Sequence, residues 1–158
     1  MMLHKARRLI EENKNEEAKQ LLLDLTKEYP NDKQVHFHCA EVHDGLGLER
    51  EAITHYEKAL ALGILGEERE RAFIQLGSSL RCIGQYDEAM NILKAGLKEF
   101  PENRALHVFL AMTFYNVNDH KLAVETLLSE LIETSSDQWI NKYSRALTFY
   151  SENLDKTW

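Results

Sequence analysis

Small residues return at a fixed distance along this chain. Ala18 and Ala52 are 34 residues apart, and so are Ala89 and Ala123. Ala52 and Ala89 are 37 apart, which an insertion of three residues near Gly63-Ile64-Leu65-Gly66 accounts for. A period of this size restricts the chain to a stacked array, because each repeat is one supersecondary unit that cannot bury its apolar face alone. Only Pro30 and Pro101 and seven glycines interrupt the 158 residues, so the repeated element is helical.

The chemistry repeats with the spacing. In FIQLGSSLRCIGQYDEAMNILKAGLKEFP, Phe73, Leu76, Gly77 and Leu80 share one helix and Gly84 makes a turn. Ala89, Leu93 and Gly96 then share a second helix, which Pro101 closes. Upstream, Cys39, Ala40 and His43 precede Gly47, and Ala52, Tyr56 and Ala59 follow it. The outer units read Ala6, Leu9, Asn13, Ala18, Leu22, Leu25, Pro30 and Leu110, Ala111, Phe114, Asn118, Ala123, Leu127. Antiparallel helices approach closely only where a small residue faces a large one, and the residues four positions on fill the space between hairpins. Gly47 and Gly84 suit the left-handed turn that ends a helix, with Asn13 and Asn118 as substitutes.

These residues resemble the tetratricopeptide repeat family over residues 1 to about 135. The resemblance implies an all-α fold, a right-handed solenoid of antiparallel helix hairpins in a single domain. The units run approximately 1–30, 31–66, 67–101 and 102–135. The first unit departs most, since Lys5 stands where an apolar residue is usual. Ile64 and Ser135 replace closing prolines, and Glu130 replaces a small residue. Over 137–154, Trp139, Tyr143, Ala146, Leu147, Tyr150 and Leu154 trace an apolar stripe at helical spacing, read as a helix that caps the last hairpin.

Composition narrows the function. The net charge is −7, and KARR at Lys5–Arg8 is the one basic cluster, followed at once by Glu11 and Glu12. That balance argues against nucleic acid and anionic membrane as partners. No run of about 18 apolar residues exists to span a bilayer, and MMLHKARRLIEENK lacks the apolar core of a signal peptide. Cys39 and Cys82 form no CxxC pair, so the reading is a reducing cytoplasm. There is no glycine-rich phosphate loop and no GxSxG elbow, which argues against an enzyme and against a cofactor.

One segment, VHFHCAEVHD at Val35–Asp44, has metal-ligand character. His36, Cys39 and His43 lie three and four residues apart and share a helical face. That face is also the packing face, and no local CxxC or HxxxH supplies a fourth ligand. The structural reading is therefore preferred, with metal binding a weaker candidate.

The resemblance also implies a concave groove lined by the first helix of each hairpin. Its positions correspond to Leu3, Arg7 and Ile10; Gln34, Phe37, Glu41 and Asp44; Arg71, Ile74, Ser78 and Arg81; and Val108, Phe109, Met112 and Tyr115. Phe37, Ile74, Val108, Met112 and Tyr115 would form an apolar strip with Arg71 and Arg81 beside it. Such a strip suits a protein or peptide bearing an acidic group. The alternative is that another copy of the chain covers it as a homodimer. Family members that clamp chaperone C-terminal carboxylates would use the positions of Leu3, Arg7, His38, Arg71 and Gln75; only Arg71 keeps the expected charge there, which argues against that ligand.

Overall fold

Left-handed backbone conformations fall where the hairpins turn. Asn13, Gly47, Gly84 and Asn118 have φ of 58°, 72°, 81° and 66°. Asparagine is among the few side-chain-bearing residues that tolerate this region, which is why it substitutes for glycine at the outer turns. The computed structural model describes residues 2–158 and, among them, ten helices. They are α1 (Met2–Glu11), α2 (Asn15–Glu28), α3 (Lys33–Gly45), α4 (Glu49–Ala61) and α5 (Gly66–Cys82). The remainder are α6 (Tyr86–Glu99), α7 (Arg104–Asn116), α8 (His120–Thr134), α9 (Gln138–Lys142) and α10 (Ser144–Ser151). The first eight pair in succession as four hairpins, and each hairpin packs on the next. Carboxylate or amide caps at Asp32, Asn103, Asp119 and Asp137 accept from the first backbone N–H groups of α3, α7, α8 and α9.

The small residues mark the points of closest approach. Ala18, Ala40, Ala52, Ala59, Ala89 and Ala111 are fully buried. A Cβ added at Gly77 would lie 2.5 Å from Leu93 Cδ2, and one at Gly96 would lie 2.9 Å from Phe73 Cβ. Glycine at 77 therefore lets α5 approach α6, and glycine at 96 seats Phe73. The insertion between the second and third units also has a packing role. Gly63 and Gly66, both at positive φ, bracket Ile64. Ile64 tucks completely inside, in one core with Phe37, Tyr56 and Leu76, while Leu65 points out.

The C-terminal segment differs from its expected form. The single helix expected over 137–154 is two short helices, broken at Tyr143, whose φ of −99° and ψ of 9° leave the helical region. Its packed face shares only Leu147 with the apolar stripe and otherwise falls one residue later. Ile140, Ser144 and Leu147 are half-buried and Ser151 is buried, whereas Trp139, Tyr143, Tyr150 and Leu154 are exposed. The seam between α8 and α10 is lined by Glu125, Ser129, Ile132, Thr148 and Ser151. The aromatics of the stripe point elsewhere. Val124, Leu127 and Leu131 on α8 remain exposed.

Candidate partner-binding groove and a histidine–cysteine cluster

Helices α1, α3, α5 and α7 neighbour one another along one side of the array. The side chains between α1, α3 and α5 are mutually paired. Arg7 Nε donates to His38 Nε2 at 2.7 Å, so the hydrogen of the neutral His38 ring is on Nδ1. That nitrogen donates to Glu41 Oε2 at 2.7 Å, and the other Glu41 oxygen accepts from Arg71. Arg7 also donates to Gln34 Oε1 at 2.7 Å. Arg7, Ile10, Glu11, His38, Glu41 and Arg71 together line a shallow cleft. Three of the positions considered for a carboxylate clamp thus meet, with their charges already opposed by Glu41 and Glu68.

The groove positions separate into different environments. Phe37 is a correction: it is fully buried, edge-on to Tyr56 with ring centroids 6.1 Å apart, and offers no surface to a partner. An aromatic ring between two hairpins is drawn into the seam when Ala40 and Ala52 leave room for it. Asp44 is half-buried and accepts from the buried Ser79 hydroxyl at 2.9 Å; burial raises its pKa despite that bond. Arg81 donates to Asn116 Oδ1 at 3.1 Å. Ser78 and Ile74 are half-buried on α5. On α7, Val108, Met112 and Tyr115 follow at i, i+4 and i+7 and share one face. Val108 and Met112 are half-buried, while Tyr115 is 63% exposed with its ring beside His120.

The second structural feature lies between α3 and α4. His36, Cys39 and His43 are buried on α3, and His55 of α4 joins them. His36 Nδ1 is 3.0 Å from His55 Nδ1, and the His43 and His55 ring centroids are 5.5 Å apart. Ligand atoms of Cys39, His43 and His55 all lie within 4.8 Å of one another. Sequence spacing missed His55 because it comes from the neighbouring helix. Its position was readable all the same, since it stands three residues after Ala52 and four before Ala59, on the packing stripe of α4. Burial, reinforced by the neighbouring His36 and His43, pushes the His55 pKa down to about 4. Burial likewise pushes the Cys39 thiol up to about 12.

Among the described residues, no helix is long and apolar enough to cross a membrane. No curated protein sequence matches the chain. Its fold is similar to that of MamA 41-end from Desulfovibrio magneticus RS-1, at 17% identity and a TM-score of 0.74 over 98% of this chain and 93% of that one. A second MamA crystal structure gives 16% identity and a TM-score of 0.76, covering 97% and 81%. A chain of the APC/C hetero-tetramer Cut9-Hcn1 gives 18% identity and a TM-score of 0.72, over 95% of this chain and 29% of that one. The family model for the tetratrico peptide repeat matches residues 33–154, from the start of α3 to just beyond α10, and the chain belongs to that family.

Proposed function

We propose that this chain is a non-catalytic protein-interaction module that holds a segment of a partner protein against α5 and α7. The family supports interaction in general. The single observation that carries the finer reading is Tyr115, 63% exposed at the end of a helix face that also carries the half-covered Val108 and Met112. An exposed aromatic beside incompletely covered apolar side chains gives a partner area to bury at low cost in side-chain ordering. Arg71 adds charge at the neighbouring cleft. Its side chain is 45% exposed, so its guanidinium can meet an acidic group of the partner while sharing Glu41.

A photo-crosslinking residue in place of Tyr115 tests this reading, with the same residue in place of the exposed Arg50 on α4 as control. Cross-links to one protein from position 115 alone, lost when Met112→Glu is added, are the expected result. Equal capture from both positions, or none from 115, overturns it.

A second reading, self-association, draws on another surface. Leu127, Leu131, Trp139 and Tyr143 are all exposed at the C-terminal end of the array. A concentration-stable dimer in light scattering, converted to monomer by Leu131→Glu, would support it; a monomer at all concentrations would exclude it.

A further inference from the structure

We propose that His36, Cys39, His43 and His55 bind a divalent transition-metal ion of the zinc type between α3 and α4. The donors are the Cys39 thiolate and the His43 and His55 imidazoles, whose ligand atoms lie mutually close, with His36 reached through its contact to His55; these are the soft and borderline ligands such an ion prefers. All four come from the two helices of one hairpin. Burying three imidazoles and a thiol costs desolvation that apolar residues in the same seam would not.

The hydrogen bonds favour ligation. His36 Nε2 lies 3.0 Å from the carbonyl oxygen of Pro30, which can only accept, so Nε2 carries the hydrogen. In the neutral ring Nδ1 then holds a lone pair, and it is Nδ1 that faces His55. His43 Nδ1 lies 2.6 Å from the carbonyl oxygen of Cys39 and donates to it, so Nε2 is the bare nitrogen. A metal-bound histidine ordinarily gives its other N–H to a carbonyl or carboxylate, and two of these three rings already do so.

The distances are close to those of a filled site. Neighbouring nitrogens around a tetrahedral zinc lie roughly 3.3 Å apart at Zn–N bonds of about 2.0 Å. His36 Nδ1 and His55 Nδ1 approach to 3.0 Å through a hydrogen bond in which His55 donates, and that hydrogen must move to His55 Nε2 for Nδ1 to bind the ion. The Cys39, His43 and His55 ligand atoms, within 4.8 Å, need to close by up to about 1.5 Å, which side-chain rotation supplies. On binding, the Cys39 thiol gives its proton to solvent and its sulfur forms the metal bond. His55 is the least buried of the four and gives the ion its entry. The bound ion would tie α3 to α4, and it does so independently of any partner in the groove.

The test is a cobalt titration of tag-free, chelator-treated full-length chain, read by absorption. One equivalent should produce the d–d bands of a four-coordinate ion and a thiolate-to-cobalt charge-transfer band, and zinc should abolish both. Cys39→Ser should remove the charge-transfer band. His55→Gln should weaken binding by at least about tenfold, while His120→Gln, exposed and remote, should bind as the natural chain does. The thermal midpoint should rise with zinc in the natural chain and not in His55→Gln. If Cys39→Ser does not fold, the His55→Gln pair of readouts decides alone. Absence of the charge-transfer band in the natural chain, or an unchanged titration in His55→Gln, overturns the proposal.

Discussion

The guanidinium of Arg71 lies over the ring of Phe37, 5.3 Å from its centroid. The cation on α5 thus lids the aromatic on α3, and the two residues assigned to one groove strip play opposite parts. Phe37 is core; Arg71 is surface. Phe37→Ala should cost about 3–5 kcal/mol of stability, because it empties a fully enclosed site. Arg71→Ala should cost only about 0.5–1 kcal/mol, the range of an exposed cation–π contact. Urea denaturation of the two variants measures both. A Phe37→Ala loss below that of Arg71→Ala would mean the ring is not buried as described.

Gly77 and Leu93 give a second comparison. Alanine at an interior helical glycine ordinarily gains about 1 kcal/mol. Here the new Cβ would meet two Leu93 carbons at 2.5 and 2.6 Å, and Leu93 is fully enclosed among Phe73, Leu106 and Leu110. Overpacking should outweigh propensity, leaving Gly77→Ala destabilised by about 1–2 kcal/mol. Leu93→Ala alone should cost about 2–5 kcal/mol. The double variant should lose less than the sum, since removing the leucine admits the new methyl. Additive losses in thermal or urea unfolding would place the two residues out of contact.

Arg69 clasps the two ends of the third hairpin. Its Nε and Nη2 donate to the two oxygens of Glu99 at 2.6 and 2.7 Å, and the guanidinium carbon sits 5.2 Å from the Phe73 ring centroid. The fork geometry favours it above an ordinary surface pair, while the 41% exposure of Glu99 limits its strength. A double-mutant cycle of Arg69→Ala and Glu99→Ala should show coupling of about 0.5–1 kcal/mol that shrinks in high salt. Arg104, which bonds Glu130 and Glu133, repeats the clasp one unit later. Coupling that does not respond to salt would assign the effect to packing on Phe73.

Much of the architecture was legible because it depends on local chemistry. Asn13 and Asn118 stand where backbone φ must be positive, and Gly77 stands where only hydrogen fits. Those demands act on single residues and leave a mark at a fixed period. The groove was less legible. Repeat position placed Phe37 of α3 and Arg71 of α5 in one groove, but burial is decided by the neighbouring hairpin, through the room that Ala40, Ala52 and Ile64 leave. The ladder of Arg7, His38, Glu41 and Arg71 spans three helices, so no local window contains it. His55 was missed for the same reason, being the one member of its cluster on another helix.

The C-terminal stripe shows the same limit and yields the last prediction. An apolar stripe was read as the packed face, yet of its members only Leu147 is half-buried, and the other covered positions of α10 are Ser144 and Ser151. Trp139 and Trp158, the only two tryptophans, are left 57% and 75% exposed. Intrinsic fluorescence of the dilute chain should therefore resemble hydrated indole and be quenched almost completely by acrylamide. Trp139→Ala should change stability by less than about 0.5 kcal/mol, as exposed positions do. Leu147→Ala, half-buried, should cost about 1–2 kcal/mol, below the range for a fully enclosed leucine. A blue-shifted, protected emission that persists on dilution would mean that the stripe is packed within the monomer. A blue shift that grows only with concentration would locate self-association at this end of the array, because no other tryptophan could report it.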